Sequence, residues 1–199
     1  MTPLVDFYTN AGTDSAGRTF DEVLAMSDEA LDASHDWVQW VFPLKEPSHF
    51  NPDAPVPTNE EIEVLRNNSV AQFNLYRAYA RFLWYLGLDE NADGTVAPEG
   101  HFASRHKVLW SHFNHNYLRV TRFLASLRLF GQYQRSAQVC ECLLKLGGAG
   151  RIELGTSELG KNVTIDYWTA TQLQYAPGDL DKTLLDCVAE IGRPLDEGK

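Results

Sequence analysis

Residues 69–87, SVAQFNLYRAYARFLWYLG, decide the fold class. Ser69 followed by Gln72 has the pattern of a capping box, in which each residue satisfies an amide N–H left bare at a helix start. Phe73, Tyr76, Ala80, Leu83 and Leu86 then recur at three- and four-residue steps, the period of one helix face. Gly87 supplies the residue that ends such a helix. The same punctuation continues outward in both directions. Upstream, Thr58 with Glu61 opens a helix over Ile62 and Leu65, and Thr19 with Glu22 opens one over Phe20, Val23 and Leu24. Ser27 before Asp28 and Glu29 predicts a helix running through Leu31, His35, Val38 and Val41/Phe42 until Pro43 ends it. Residues 43–57, PLKEPSHFNPDAPVP, hold five of the nine prolines and read as an extended, rigid connector.

Downstream, a polar loop spans 89–100. Helices follow over Phe102, His106, Leu109 and Phe113, then from Leu118 to Phe130 with Gly131 at its end. Ala137, Cys140 and Leu144 mark another, stopped by Gly147-Gly148, and Ile165 with Trp168 a short one. Leu180, Leu184, Val188 and Ile191 complete a last helix over 179–191. No alternating segment is long enough for a sheet, and no repeat is present. The expectation is an all-α, single-domain helical bundle over 1–199, of about eight helices joined by the Pro-rich connector.

Composition sets outer bounds. The chain has 199 residues, 44% of them hydrophobic, and a formal charge of −10. That apolar content excludes intrinsic disorder, and the negative charge disfavours a nucleic-acid partner. Three cysteines do not make a disulfide scaffold. Residues 1–17 show no basic leader, and the densest apolar stretches reach roughly seven residues against the ~20 of a membrane span. A soluble, cytoplasmic protein with no transmembrane segment is expected.

Three motifs look chemical. Asp89–Gly94 reproduces the first half of a calcium-binding loop, with oxygen side chains at Asp89, Asn91 and Asp93, but Gly100 stands where a bidentate glutamate belongs. The ordinary reading is an acidic turn, with calcium the alternative. Gly155–Lys161 follows the phosphate-loop pattern until Asn162 replaces the required hydroxyl, and no strand precedes it. Four of six histidines fall at His101, His106, His112 and His115, without cysteines nearby to complete a metal site. No nucleophile arrangement is present, so no catalytic residue, metal or cofactor is expected.

Two segments combine aromatic bulk with polar groups that need partners: HDWVQWVFPL at 35–44, continuing as EPSHFNPDAPV at 46–56, and HNYLRVTRFLASL at 115–127. These strongly resemble the conserved domain of the opioid growth factor receptor family. Phe7-Tyr8, Asp14, Gly17-Arg18 and Trp110 fit its pattern in order, and the resemblance runs from about residue 7 to about 170. Trp37, Val38 and Val41 stand where that family usually has Tyr, Ile and Leu, and no long C-terminal repeat tail follows. The resemblance implies a helical domain. Vertebrate members are named for binding a small opioid peptide, Met-enkephalin, and associate with the nuclear envelope. It therefore implies peptide binding and signalling receptor activity, with membrane association by family analogy only. The family has no established catalytic residues to carry over.

The residues also point to a site on their own. On a helical wheel His115, Arg119, Arg122 and Ser126 fall in one stripe, flanked by Val120, Phe123, Leu124 and Leu127 on one side and Leu118 and Leu129 on the other. Thr121, Ala125, Arg128 and Gln132 form the expected solvent face. Arginines in a half-buried seam need counter-charges. Asp36, Glu46 or Asp53 would supply them internally; a ligand carboxylate or phosphate would supply them from outside, against Trp37 or Trp40. The candidate ligand-binding set is His35, Trp37, Gln39, Trp40, Asn51, His115, Asn116, Arg119 and Arg122. The leading expectation is a binding or interaction module for a peptide or small anion. An enzyme acting on an anionic small molecule through His35 or His115, or a scaffold with an internal polar network, are the alternatives. Nothing in the sequence sets the oligomeric state.

Overall fold

The structure, a computed structural model, describes residues 2–48, 50–112, 114–155 and 163–173. It is all-α apart from one small hairpin. Ten helices occur among the described residues: α1 Pro3–Tyr8, α2 Phe20–Leu24, α3 Asp28–Ala33, α4 Val38–Val41, α5 Asn59–Asn67, α6 Ser69–Leu86, α7 Phe102–Leu109, α8 Asn116–Leu129, α9 Tyr133–Gly148 and α10 Val163–Thr171. The expected helix over 179–191, Cys187 and the phosphate-loop pattern from 156 onward lie outside the described residues, as does Phe113.

The α6 helix is the axis of the molecule. Its cap is Asn68 rather than Ser69: the Asn68 side chain accepts from the Ala71 amide, because α5 ends one residue earlier and leaves Asn68 extended. The capping boxes at Thr19/Glu22 and Thr58/Glu61 are both complete. Gly87 ends α6 in the left-handed conformation, donating to the carbonyls of Leu83 and Trp84. The inner face of α6 meets α8 through aromatic rings. Rings of Phe82 and Phe123 lie 4.8 Å apart, with Phe42 at 5.4 Å and 4.9 Å from them. Trp110, buried, donates its indole N–H to the Leu86 carbonyl.

Three further expectations need correction. Residues 27–43 do not form one helix: Ser34 is extended and the chain restarts as α4 after a break. The Ser34 and Asp36 side chains turn to Arg18, and the carbonyls before the break are taken by distant donors described below. Second, a two-stranded antiparallel hairpin follows Gly87: β1 Leu88–Glu90 pairs with β2 Val96–Pro98. Strands of three residues are too short to show a period. The Asp89–Gly94 motif forms its turn. Gly94 is left-handed, and Asp93 accepts from both the amide and the hydroxyl of Thr95. Glu90 is directed to Tyr79 and Arg135. Third, the expected solvent face of α8 is covered. Arg128 is only 1% exposed, donates to Gln172 and sits over the Tyr133 ring. α9 and α10 pack there, with Trp168 stacked on Tyr117.

Cys140 and Cys142 are free and buried, and burial pushes their thiols up to about 12 and about 11 respectively. They are inert core residues.

Gly87 also marks a close approach: a Cβ there would lie 2.9 Å from the Phe102 Cα, whereas one on the equally left-handed Gly94 would meet nothing within 4 Å. Gly87→Ala and Gly94→Ala each impose an unfavourable backbone, at about 1–2 kcal/mol. Overpacking adds ~1–3 kcal/mol at Gly87 only. Urea denaturation is expected to show a clearly larger loss for Gly87→Ala; equal losses would contradict a tight approach of α7 to the end of α6.

Candidate functional site

A six-residue helix such as α3 leaves most of its carbonyls without helical partners. Here a side chain from α8 takes them. Arg119 donates to the carbonyls of Leu31 (3.0 Å), Asp32 (3.2 Å) and Ser34 (2.6 Å), and the Trp37 indole donates to Leu31 as well. Arg119 also reaches the Tyr85 hydroxyl and Asn116 Oδ1, and its guanidinium lies 5.6 Å from the Trp37 ring centre. A cation at a helix C-terminus is doubly favoured, by hydrogen bonding and by the helix dipole. Burial lowers its pKa, opposed by Tyr85 and Asp32, and an arginine stays charged regardless.

Asp32, whose carboxylate is 4.0 Å from Arg119, closes this network. It accepts from Tyr85 and Asn116 and approaches His115 Nε2 at 3.4 Å. Burial works against its ionisation, but the hydrogen bonds from Asn116 and Tyr85 outweigh it and hold the carboxyl below its ordinary range. Burial also raises the Tyr85 phenol, aided by Asp32. Arg119 approaches His35 Nδ1 at 3.3 Å, a contact in which the guanidinium can only donate. The His35 and His115 rings meet edge to face, 4.9 Å apart. Burial, then the charge of Arg119, pulls the His115 pKa below its ordinary 6.5 against the opposing pull of Asp32.

Above this network opens a groove of about 620 Å³. His35, Gln39, His115, Arg119 and Arg122 all line it. Val38, Leu44, Phe50, Leu118 and Tyr167 form its walls. The connector is held over it by two clamps: Ser48 Oγ accepts from the amides of Phe50 and Asn51, and Asn51 donates to the Asp36 carbonyl at 2.9 Å. Asp36 in turn pairs with Arg18, which also holds Asp14. Phe50 is thereby left 79% exposed at the rim, with Leu118 at 53% and Tyr167 at 63%. Contiguous exposed apolar surface of this kind marks binding sites.

The two arginines of the stripe differ sharply. Arg119 is satisfied internally, by backbone carbonyls and Asp32 rather than by the expected Asp36, Glu46 or Asp53. Arg122 has one hydrogen bond among the described residues, to the Phe42 carbonyl at 3.3 Å, and no ion pair within 4.0 Å. Burial lowers its pKa while the charge of Glu46 raises it. Gln39, 5% exposed, has a buried Oε1 that receives no hydrogen bond from any described residue.

The remaining candidates from the sequence lie elsewhere. Trp37 is beneath Arg119 in the core, and Trp40 packs on Phe7 at 5.4 Å with its indole on Ser15. Asn51 is a clamp of the connector and Asn116 a buried member of the Asp32 network. The apolar walls and Asp32 were not read from the sequence. Leu118 was traceable, standing four residues before Arg122 on the same helix; Tyr167 left no signal. Among the described residues no group of three or more His, Cys, Asp or Glu could hold a metal ion, and no helix is long and apolar enough to cross a membrane.

A family model described as the opioid growth factor receptor (OGFr) conserved region matches residues 4–175. The chain belongs to the opioid growth factor receptor family. Relatives include the opioid growth factor receptor of Homo sapiens, 37% identical over 106 residues, which are 52% of this chain and 15% of the relative. The Rattus norvegicus receptor is 36% identical over 105 residues, 52% of this chain and 18% of the relative. Opioid growth factor receptor-like protein 1 of Mus musculus is 36% identical over 104 residues, again 52% of this chain and 22% of the relative. The matched stretch thus spans less than a quarter of each of these relatives. No solved structure matches the chain.

Within this opioid growth factor receptor-type domain the two arginines should separate in stability measurements. Arg119→Met strands several buried carbonyls and is expected to lose about 3 kcal/mol or more, while Arg122→Ala loses about 1 kcal/mol. Chemical denaturation of both variants checks this, and similar losses would contradict it. His115 generates a pH dependence. Its folded pKa lies below 6.5, so between that value and 6.5 the unfolded chain binds more protons and stability rises with pH. Lowering the pH through this window should therefore weaken the fold of the wild type more than that of His115→Gln. An NMR titration midpoint for the His115 ring at or above 6.5 would refute the assignment.

Proposed function

We propose that this chain is a peptide-binding module whose ligand enters the groove between the connector, α4 and α8 and places an anionic group on Arg122. The observation that carries this reading is the contrast within one stripe: Arg119 is saturated by the protein, whereas Arg122 faces the same groove with a single described hydrogen bond. A half-buried cation with one described hydrogen bond, and Glu46 acting on it from beyond ion-pair distance, gains from a ligand that supplies a direct counter-charge. Apolar walls around a few polar groups are the usual make-up of a ligand site, and the volume lies within the common range of about 300–1,000 Å³. The named activity of the curated relatives supports a peptide as the ligand class. Signalling receptor activity and a cytoplasmic location belong to the same proposal. The net charge of −10 works against nucleic acid as an alternative.

A second reading rests on the His115–Asp32 contact at the groove edge, which could serve acid–base chemistry on a bound anion. Calorimetric titration with short anionic peptides distinguishes the two. Binding should weaken about 10-fold or more in Arg122→Gln, the usual worth of a charge-assisted hydrogen bond, and no peptide should be turned over. Binding indifferent to Arg122→Gln would defeat the proposal. Turnover lost in His115→Gln with binding retained would establish the enzyme.

A further inference from the structure

We propose that the groove reads the C-terminal end of a peptide: the terminal carboxylate on Arg122, the amide of the last residue on Gln39, and an apolar last side chain between the walls. This rests on the reading above that the ligand is a peptide. Three features of the groove converge on it. Arg122 presents a planar fork of N–H donors, of which only one is used among the described residues, on the Phe42 carbonyl. That fork matches a carboxylate with two parallel hydrogen bonds. Gln39 presents a primary amide, donor and acceptor together, and its buried Oε1 meets no described donor. A backbone amide N–H is the complement such an acceptor requires.

The pairing of these two groups in one groove then selects the end of a chain rather than its middle. The Arg122 head is anchored on the carbonyl of Phe42, the residue that caps α4, Gln39 lies within α4, and both side chains line the groove. A ligand that offers an amide N–H and a carboxylate within one residue, with an apolar side chain between them, is a C-terminal residue. Leu118, four residues before Arg122 on α8, and Leu44 beyond Phe42 flank that position, while Phe50 and Tyr167 stand exposed at the rim. Phosphate fits less well. It would find one available guanidinium, since Arg119 already serves the carbonyls of α3, and the walls around it are apolar.

The test uses synthetic peptides randomised upstream and ending in Leu, Val or Phe, each made as the free acid and as the C-terminal amide. A third series is amidated and carries an internal glutamate. Binding to the full chain is followed by fluorescence anisotropy at physiological salt. The free acids are expected to bind, and amidation to weaken them about 10-fold or more. Arg122→Gln should erase the acid-over-amide preference, and Arg122→Lys should restore part of it. Gln39→Leu should weaken acids and amides alike while leaving their ratio unchanged. If amides bind as well as acids, or the internal-glutamate series binds as tightly, C-terminal recognition is overturned while peptide binding stands. If no series binds, the peptide reading itself falls. Circular dichroism and melting of each variant confirm that the fold is intact before binding is compared.

Discussion

The structure turns on a buried cation that finishes a helix. Arg119 leaves the middle of the fold on α8 and gathers the carbonyls of Leu31, Asp32 and Ser34, where a six-residue helix would otherwise expose them to an apolar interior. Because those carbonyls are occupied, the chain breaks at Ser34 and restarts as α4 in a new direction. That redirection places Gln39 on the groove side and Trp37 and Trp40 on the core side. The same guanidinium orients His35, and its neighbour Asp32 orients His115. One arginine thus fixes the floor of the groove, and the next on the same face is left free of that task.

This division of labour explains why charge and burial act differently at two positions three residues apart. Arg119 is compensated mostly by dipoles, which satisfy a guanidinium without the desolvation of a full counter-ion. Arg122 has one dipole from Phe42 and the charge of Glu46 from beyond ion-pair distance. Packing keeps it in place: Phe123 beside it locks α8 against Phe42 and Phe82. The groove is built on rigid helices on two sides and on a clamped connector on the third.

Much of this was legible in the chain itself. The periodic faces of α6 and α8 and the capping boxes of α2 and α5 could be read because their determinants lie within a few residues. The break between α3 and α4 could not, since its cause is a side chain from a distant helix. The Arg128 face of α8 was misjudged for the same reason: what covers it, α9 and α10, is set by tertiary packing. The stripe was correctly seen as lying in a seam, yet wheel positions cannot tell a saturated arginine from an unsaturated one. Asp32, within a run that looked like a plain acidic helix start, gave no sign of its role. Phe50 and Tyr167 are brought to the groove by chain segments whose paths no local pattern dictates.

The clamps on the connector have a consequence for how such a groove changes over evolutionary time. Ser48, Asn51 and Asp36 hold Phe50 and Asn51 in place by hydrogen bonds that do not involve the Phe50 ring. The ring itself packs into no core. The side chain at that position can therefore vary in size and polarity while the loop keeps its path, and the selectivity of the rim can drift without cost to folding. Arg119 has no such freedom. The fold thus separates a part that must be kept from a part that can be tuned, the floor and the rim of one groove.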